Sequence, residues 1–216
     1  MNPGVVASLR DLVPLRPLTY SEHLRIAELQ AHRFLALVGV TQAPVPERVI
    51  TELPRLQVEH VSPFPVSGAT HWSSGTWLVL LNGAEPRVRQ RFSLAHELKH
   101  IIDHRFAELI FGSFPAQDRH ALAEQICDYF AGCVLMPRPW LKSTYANGLQ
   151  HLPSLAQRFD VSQAAVQVRL SQIGMIDSTP RCGRPTKDWS VRAIRSAADP
   201  LYERSTQPLF AASINT

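Results

Sequence analysis

Cysteine is scarce: three residues in 216. So small and odd a number excludes a disulfide framework and fits a reducing compartment. Long apolar runs are missing too. Trp77–Leu81 is five residues long, whereas a membrane-spanning helix needs ~20. Met1 to Pro17 lacks the charged-then-apolar order of a secretory signal. A cytoplasmic protein without membrane contact is expected. No run of five like charges occurs, so the net charge of +4 is spread along the chain and reads as solubility rather than a phosphate footprint. No internal repeat is visible. What is present is apolar substance, 45% hydrophobic against 19% charged, enough for a buried core and too apolar for a disordered chain.

Periodicity divides the chain. Residues 1–17 carry turn-type residues and little pattern, and read as a tail. Thr19 and Glu22 have capping-box spacing, and Leu24, Ala27, Ala31, Phe34, Leu35 and Val38 form a helical stripe that Gly39 stops. A short helix is expected from Glu47 to Leu53. The period then shortens. Leu56–Val61, Val66–Trp72 and Thr76–Leu81 read as strands, with Ser73-Ser74-Gly75 as a hairpin turn, giving a small antiparallel sheet. Helices are expected from Pro86 to about His104, from about Asp118 to Leu135, and over Trp140–Asn147. Residues 152–176 have helix-turn-helix spacing, with Leu155, Ala156 and Phe159 lining the first helix and Ser162 capping the second. Of Gln163, Gln167, Arg169 and Gln172 on that second helix, only one is basic, so direct DNA contact is not expected. Beyond Asp177 the chain is rich in Pro, Ser and Arg, with one weak helical patch near Trp189–Ala198.

The chemistry lies in His96-Glu97-Leu98-Lys99-His100. Helical residues four apart are offset by about 40° and rise about 6 Å, so two imidazoles at that spacing can grip one ion. Glu97 is placed to reach a water at that ion and take its proton. A catalytic zinc site wants a third protein ligand. His104 is a poor candidate, because on a continuous helix it lies about 12 Å along the axis from His96 and about 80° around. Glu124, with Asp128 four residues on, supplies a carboxylate and a second acid able to hold a histidine from behind. By spacing alone, an exposed acidic face is as good a reading. Cys127 and Cys133 point to different sides of their helix, cannot pair with each other, and read as small core residues.

Arg91-Phe92-Ser93-Leu94-Ala95-His96-Glu97-Leu98-Lys99-His100, followed by His104, resembles the signature of the ImmA/IrrE family of metallopeptidases. So does Glu124-Gln125-Ile126-Cys127-Asp128-Tyr129-Phe130-Ala131-Gly132-Cys133-Val134-Leu135-Met136-Pro137. The likeness spans about residues 20–176. Lys99 stands where that family usually has glycine, Cys127 where it has alanine, and Asp128 where it has asparagine.

The resemblance implies an α+β, zincin-like metalloprotease domain over residues 18–150. A helix-turn-helix module over 151–176 and a basic tail over 177–216 follow it. His96, His100 and Glu124 would hold Zn2+, with Mn2+ or Fe2+ as alternatives, and Glu97 would be the general base. Asp128 and His104 are candidates to support the histidine ligands. His71, Trp72 and Tyr145, with His151, are candidates for the oxyanion or the substrate. Lys99 would add a cation near the site. The implied reaction is hydrolysis of a peptide bond in a helix-turn-helix (XRE-type) transcriptional repressor, giving derepression. Alternatives are the toxin of a toxin–antitoxin pair, held by a helix-turn-helix antitoxin, and a non-enzymatic zinc protein that binds a regulator.

Overall fold

The computed structural model describes residues 4–176, and the expected basic tail and its weak helical patch lie outside them. The chain up to Ile176 forms one compact unit. Its elements run α1 (Val5–Arg10), α2 (Tyr20–Leu37), α3 (Arg48–Thr51), β1 (Leu56–Val61), β2 (Gly68–Ser73), β3 (Thr76–Asn82), α4 (Arg87–Asp103), α5 (Ala107–Ile110), α6 (Ala116–Leu135), α7 (Arg138–Ala146), α8 (Leu152–Phe159) and α9 (Gln163–Gln172).

Local chemistry sets the ends of these elements. The Thr19 side chain accepts from the Glu22 N–H while Glu22 returns to the Thr19 N–H, a complete capping box on α2. At the far end of α2, Gly39 takes a φ of +69° and lets the Val40 N–H fold back to Leu35 O at 3.0 Å. Three long helices, α2, α4 and α6, bury their apolar stripes against each other. Ala27, Ala31 and Phe34 of α2, Leu98, Ile101 and Ile102 of α4, and Phe130, Ala131 and Val134 of α6 are fully buried. A Phe→Ala change at such a position costs about 3–5 kcal/mol.

Two expectations are corrected. Residues 1–17 are not a plain tail, because Val5–Arg10 is helical and Leu9 is fully buried. Arg10 donates to Ile101 O at 2.6 Å and Ile102 O at 3.1 Å, so α1 covers carbonyls in the last turn of α4. Six residues are too few for a period to show.

The sheet, moreover, is mixed rather than antiparallel. Its order is β1-β3-β2, with β3 antiparallel to β2 and parallel to β1. Ser74 and Gly75 both take positive φ, which makes the tight β2–β3 hairpin expected from the sequence. That hairpin carries β3 back between β2 and β1, so β2 itself is the crossover between two parallel strands. Alternation identifies strands but says nothing about their order.

α8 and α9 meet at Asp160, which takes a left-handed φ of 54°, and Ser162 caps α9 by accepting from Ala165 N–H at 3.1 Å. Arg169 does not face outward from α9. It is buried, donates to Met136 O at 3.2 Å and lies 3.5 Å from Glu28. It therefore fastens α9 to the end of α6.

Candidate metal centre

α4 and α6 pack side by side, and the site lies where one turn of each meets. His96 and His100 sit one turn apart on α4, and their Nε2 atoms approach to 3.0 Å. Glu124 of α6 reaches both, with Oε2 3.2 Å from His96 Nε2 and Oε1 3.2 Å from His100 Nε2. One turn further along α6, Asp128 Oδ1 lies 2.8 Å from His96 Nδ1. A proton held on Nδ1 by that carboxylate leaves Nε2 as the donor nitrogen of the neutral ring.

Charge reinforces this geometry. Burial of the His96 ring works to lower its pKa, but the hydrogen bonds to Asp128 and Glu124 outweigh it and raise the imidazole to about 9. Glu124 is the mirror case. Burial pushes its carboxyl up, yet the two imidazoles hold it well below the usual carboxylate range. Two imidazole nitrogens and one carboxylate, all within 3.2 Å, form a donor set that fits a zinc-class divalent ion.

Glu97 leaves α4 in another direction, toward the sheet. It is buried, and the Thr70 hydroxyl of β2 donates to its Oε2. Gly68, two residues before Thr70 on the same face of β2, lies against the other oxygen. A β carbon there would come within 2.9 Å of Glu97 Oε1. Strand β2 therefore holds one carboxylate oxygen by a hydrogen bond and leaves space for the other.

The remaining candidates scatter. His104 caps α4 and sets its ring edge-on to Trp77, 4.9 Å between centroids. Trp72 packs against Trp77 with centroids 5.0 Å apart and the rings tilted by 55°, is half exposed, and shares the face of β2 that carries Thr70. The pleat of β2 turns His71 to the face opposite Glu97. Tyr145 packs partly buried against the core from α7, and His151 engages Ser154 at 3.2 Å. Lys99 is no cation at the site. It is buried in the core beside Phe130 of α6, its charge taken up by Gln30 Oε1 at 2.8 Å and Asp103 Oδ1 at 2.7 Å.

Sequence reasoning missed Thr70 and Gly68 altogether. Their role depends on β2 docking beside α4, and no spacing along the chain encodes that. It also placed Cys127 in the core without noticing that, three residues after Glu124, this residue shares the α6 face that meets the histidines. Cys127 is buried, and its sulfur lies within 4.8 Å of a ring nitrogen of each histidine. Beside Asp128 opens a cavity of about 250 Å³, with Phe92, Met136, Val161, Ala165 and Val168 in its walls.

Comparison with known proteins identifies the family. Residues 54–171 match the family described as Peptidase M78, IrrE N-terminal-like domain. The chain is 26% identical over 131 residues to the radiation response metalloprotease IrrE of Deinococcus radiodurans, an alignment covering 54% of this chain and 40% of that protein. Its fold is similar to a solved Mycobacterium tuberculosis transcriptional regulator, with a TM-score of 0.58 at 18% identity, covering 78% of this chain and 52% of that one. More than half of the sequence, including α4, α6 and the sheet beside them, lies in the matched segment, and the chain belongs to the ImmA/IrrE family of metallopeptidases.

Proposed function

We propose that the protein is a zinc-dependent endopeptidase that cleaves a helix-turn-helix transcriptional repressor. The observation that carries this reading is the separation of roles at one turn of α4. His96 and His100 converge with Glu124, while Glu97 is drawn aside by Thr70 and stays out of the donor set. His96, His100 and Glu124 would hold the ion, and Asp128 would fix the His96 ring. When bound, such an ion supplies Lewis acidity toward a carbonyl oxygen and lowers the pKa of water.

The protein's own groups do the rest. Glu97 takes a proton from the attacking water and passes it to the departing amine, and Thr70 keeps one of its oxygens fixed while it does so. β2 is an edge strand, so an extended substrate segment can add to its free side by backbone hydrogen bonds and run past Glu97. The apolar cavity beside Asp128 can receive a substrate side chain. The α8–α9 pair is read as a helix-turn-helix-shaped module that closes the fold. Its basic residue Arg169 is used internally, which favours a protein partner over DNA.

Glu97→Gln tests the reading. The variant should keep its metal content and lose about 10²–10⁴ in hydrolysis of the repressor. Undiminished cleavage by this variant would remove Glu97 as the base. A variant that cannot cleave yet retains the full biological effect would favour the regulator-binding alternative.

A further inference from the structure

Glu124, Cys127 and Asp128 lie on one face of α6, spaced three and four residues apart, and that face meets His96 and His100. The two acids are accounted for. Glu124 spans both Nε2 atoms, and Asp128 holds the far nitrogen of His96. Cys127 lies between them in sequence and below them in depth. It is 2% exposed, whereas the Asp128 side chain is 61% and the Glu124 side chain 41% exposed. Its thiol is free, and its sulfur falls within 4.8 Å of a ring nitrogen of each of the two histidines. An ion bonded to nitrogen at about 2.0–2.1 Å and to sulfur at about 2.3 Å needs those atoms roughly 3.5 Å apart. An adjustment of about an ångström in the Cys127 side chain reaches that distance.

Resting on the metal-centre reading above, we propose that Cys127 is a fourth protein donor to the ion, approaching from the buried side opposite the solvent-facing Glu124. The metal–sulfur bond forms as the thiol proton leaves to solvent. With His96, His100, Glu124 and Cys127 all engaged, the coordination sphere is closed, and release of sulfur opens the position that water needs. A thiolate donor also biases the site toward zinc and away from manganese, which prefers oxygen ligands.

The test is cobalt substitution of the full-length protein. Wild type should bind one equivalent of Co2+ and show a sulfur-to-cobalt charge-transfer band in the near ultraviolet beside the weaker visible bands. Cys127→Ala should keep the visible bands and lose the ultraviolet one, and Cys133→Ala should keep both. The preference for Zn2+ over Mn2+, measured by competition, should fall at least about tenfold in Cys127→Ala. If Cys127→Ala fails to fold, Cys127→Ser replaces it, and the wild-type spectrum alone still decides. One equivalent of bound cobalt without a charge-transfer band overturns the role of Cys127 and leaves the His96–His100–Glu124 site standing. Failure to bind cobalt at all overturns that site and this inference with it.

Discussion

The inner face of α4 bears two sets of ionisable residues, one near solvent and one deep in the core, and puts them to opposite ends. Toward α6, His96 and His100 sit half-open among carboxylates, their donor nitrogens aimed at one point. Deeper in the core, beside Phe130 of α6, Lys99 is 2% exposed and Asp103 is 6% exposed, closed into a pair at 2.7 Å that Gln30 extends toward α1 through Leu9 O. Adjacent residues on a helix diverge by about 100°, so Lys99 and His100 are neighbours in sequence and strangers in the fold. The half-open set collects charges that a cation can satisfy. The buried set satisfies its charges internally and holds the first in place.

The sharpest way to break that contrast is to strip the buried side. Lys99→Met leaves Asp103 as an uncompensated buried carboxylate, and should cost about 3–5 kcal/mol, read as a lowered urea midpoint. Adding Asp103→Leu should recover most of the loss, because a buried pair replaced by apolar groups is often neutral. Neither change should alter metal content per folded molecule. On the open side, Asp128→Ala removes one of the two carboxylates that raise His96, so it should lower the urea midpoint of metal-stripped protein by less than Lys99→Met does and weaken metal binding about 10–100-fold in a chelator competition. Thr70→Val, which removes the donor to Glu97, should cut turnover roughly tenfold with little change in KM, whereas Thr70→Ser should retain activity.

The mildest effect is on pH dependence. His96 is raised from 6.5 to about 9 by its carboxylate neighbours against the pull of burial. In metal-stripped protein its contribution to stability is full below about pH 6.5 and fades as pH climbs through 9. Metal must displace that proton, so apparent metal affinity should rise across the same window. Thermal midpoints and metal titrations at pH 6, 7.5 and 9 (values chosen to bracket that window) should therefore move in opposite directions.

Much of this was legible in the sequence, for identifiable reasons. The capping box at Thr19, the hairpin at Ser74-Gly75 and the stripes of α2, α4 and α6 are local signals, and each appears where its residues place it. The His96–His100 pair is local too. What escaped depends on which elements meet. The parallel pairing of β1 with β3 depends on where the hairpin docks. Lys99 could not be placed until α2 supplied Gln30. Thr70 and Gly68 gain their role only because β2, and not β1, borders α4 at Glu97. α4 runs unbroken to Asp103, which leaves His104 at its end beside Trp77.

The central claim is that α4 and α6 jointly close on a single divalent ion. Metal analysis of the purified protein beside His100→Ala, Glu124→Ala and Glu97→Gln tests it most directly. The account predicts one equivalent in wild type and Glu97→Gln, and little in the other two. Stoichiometric metal surviving in both His100→Ala and Glu124→Ala would contradict it.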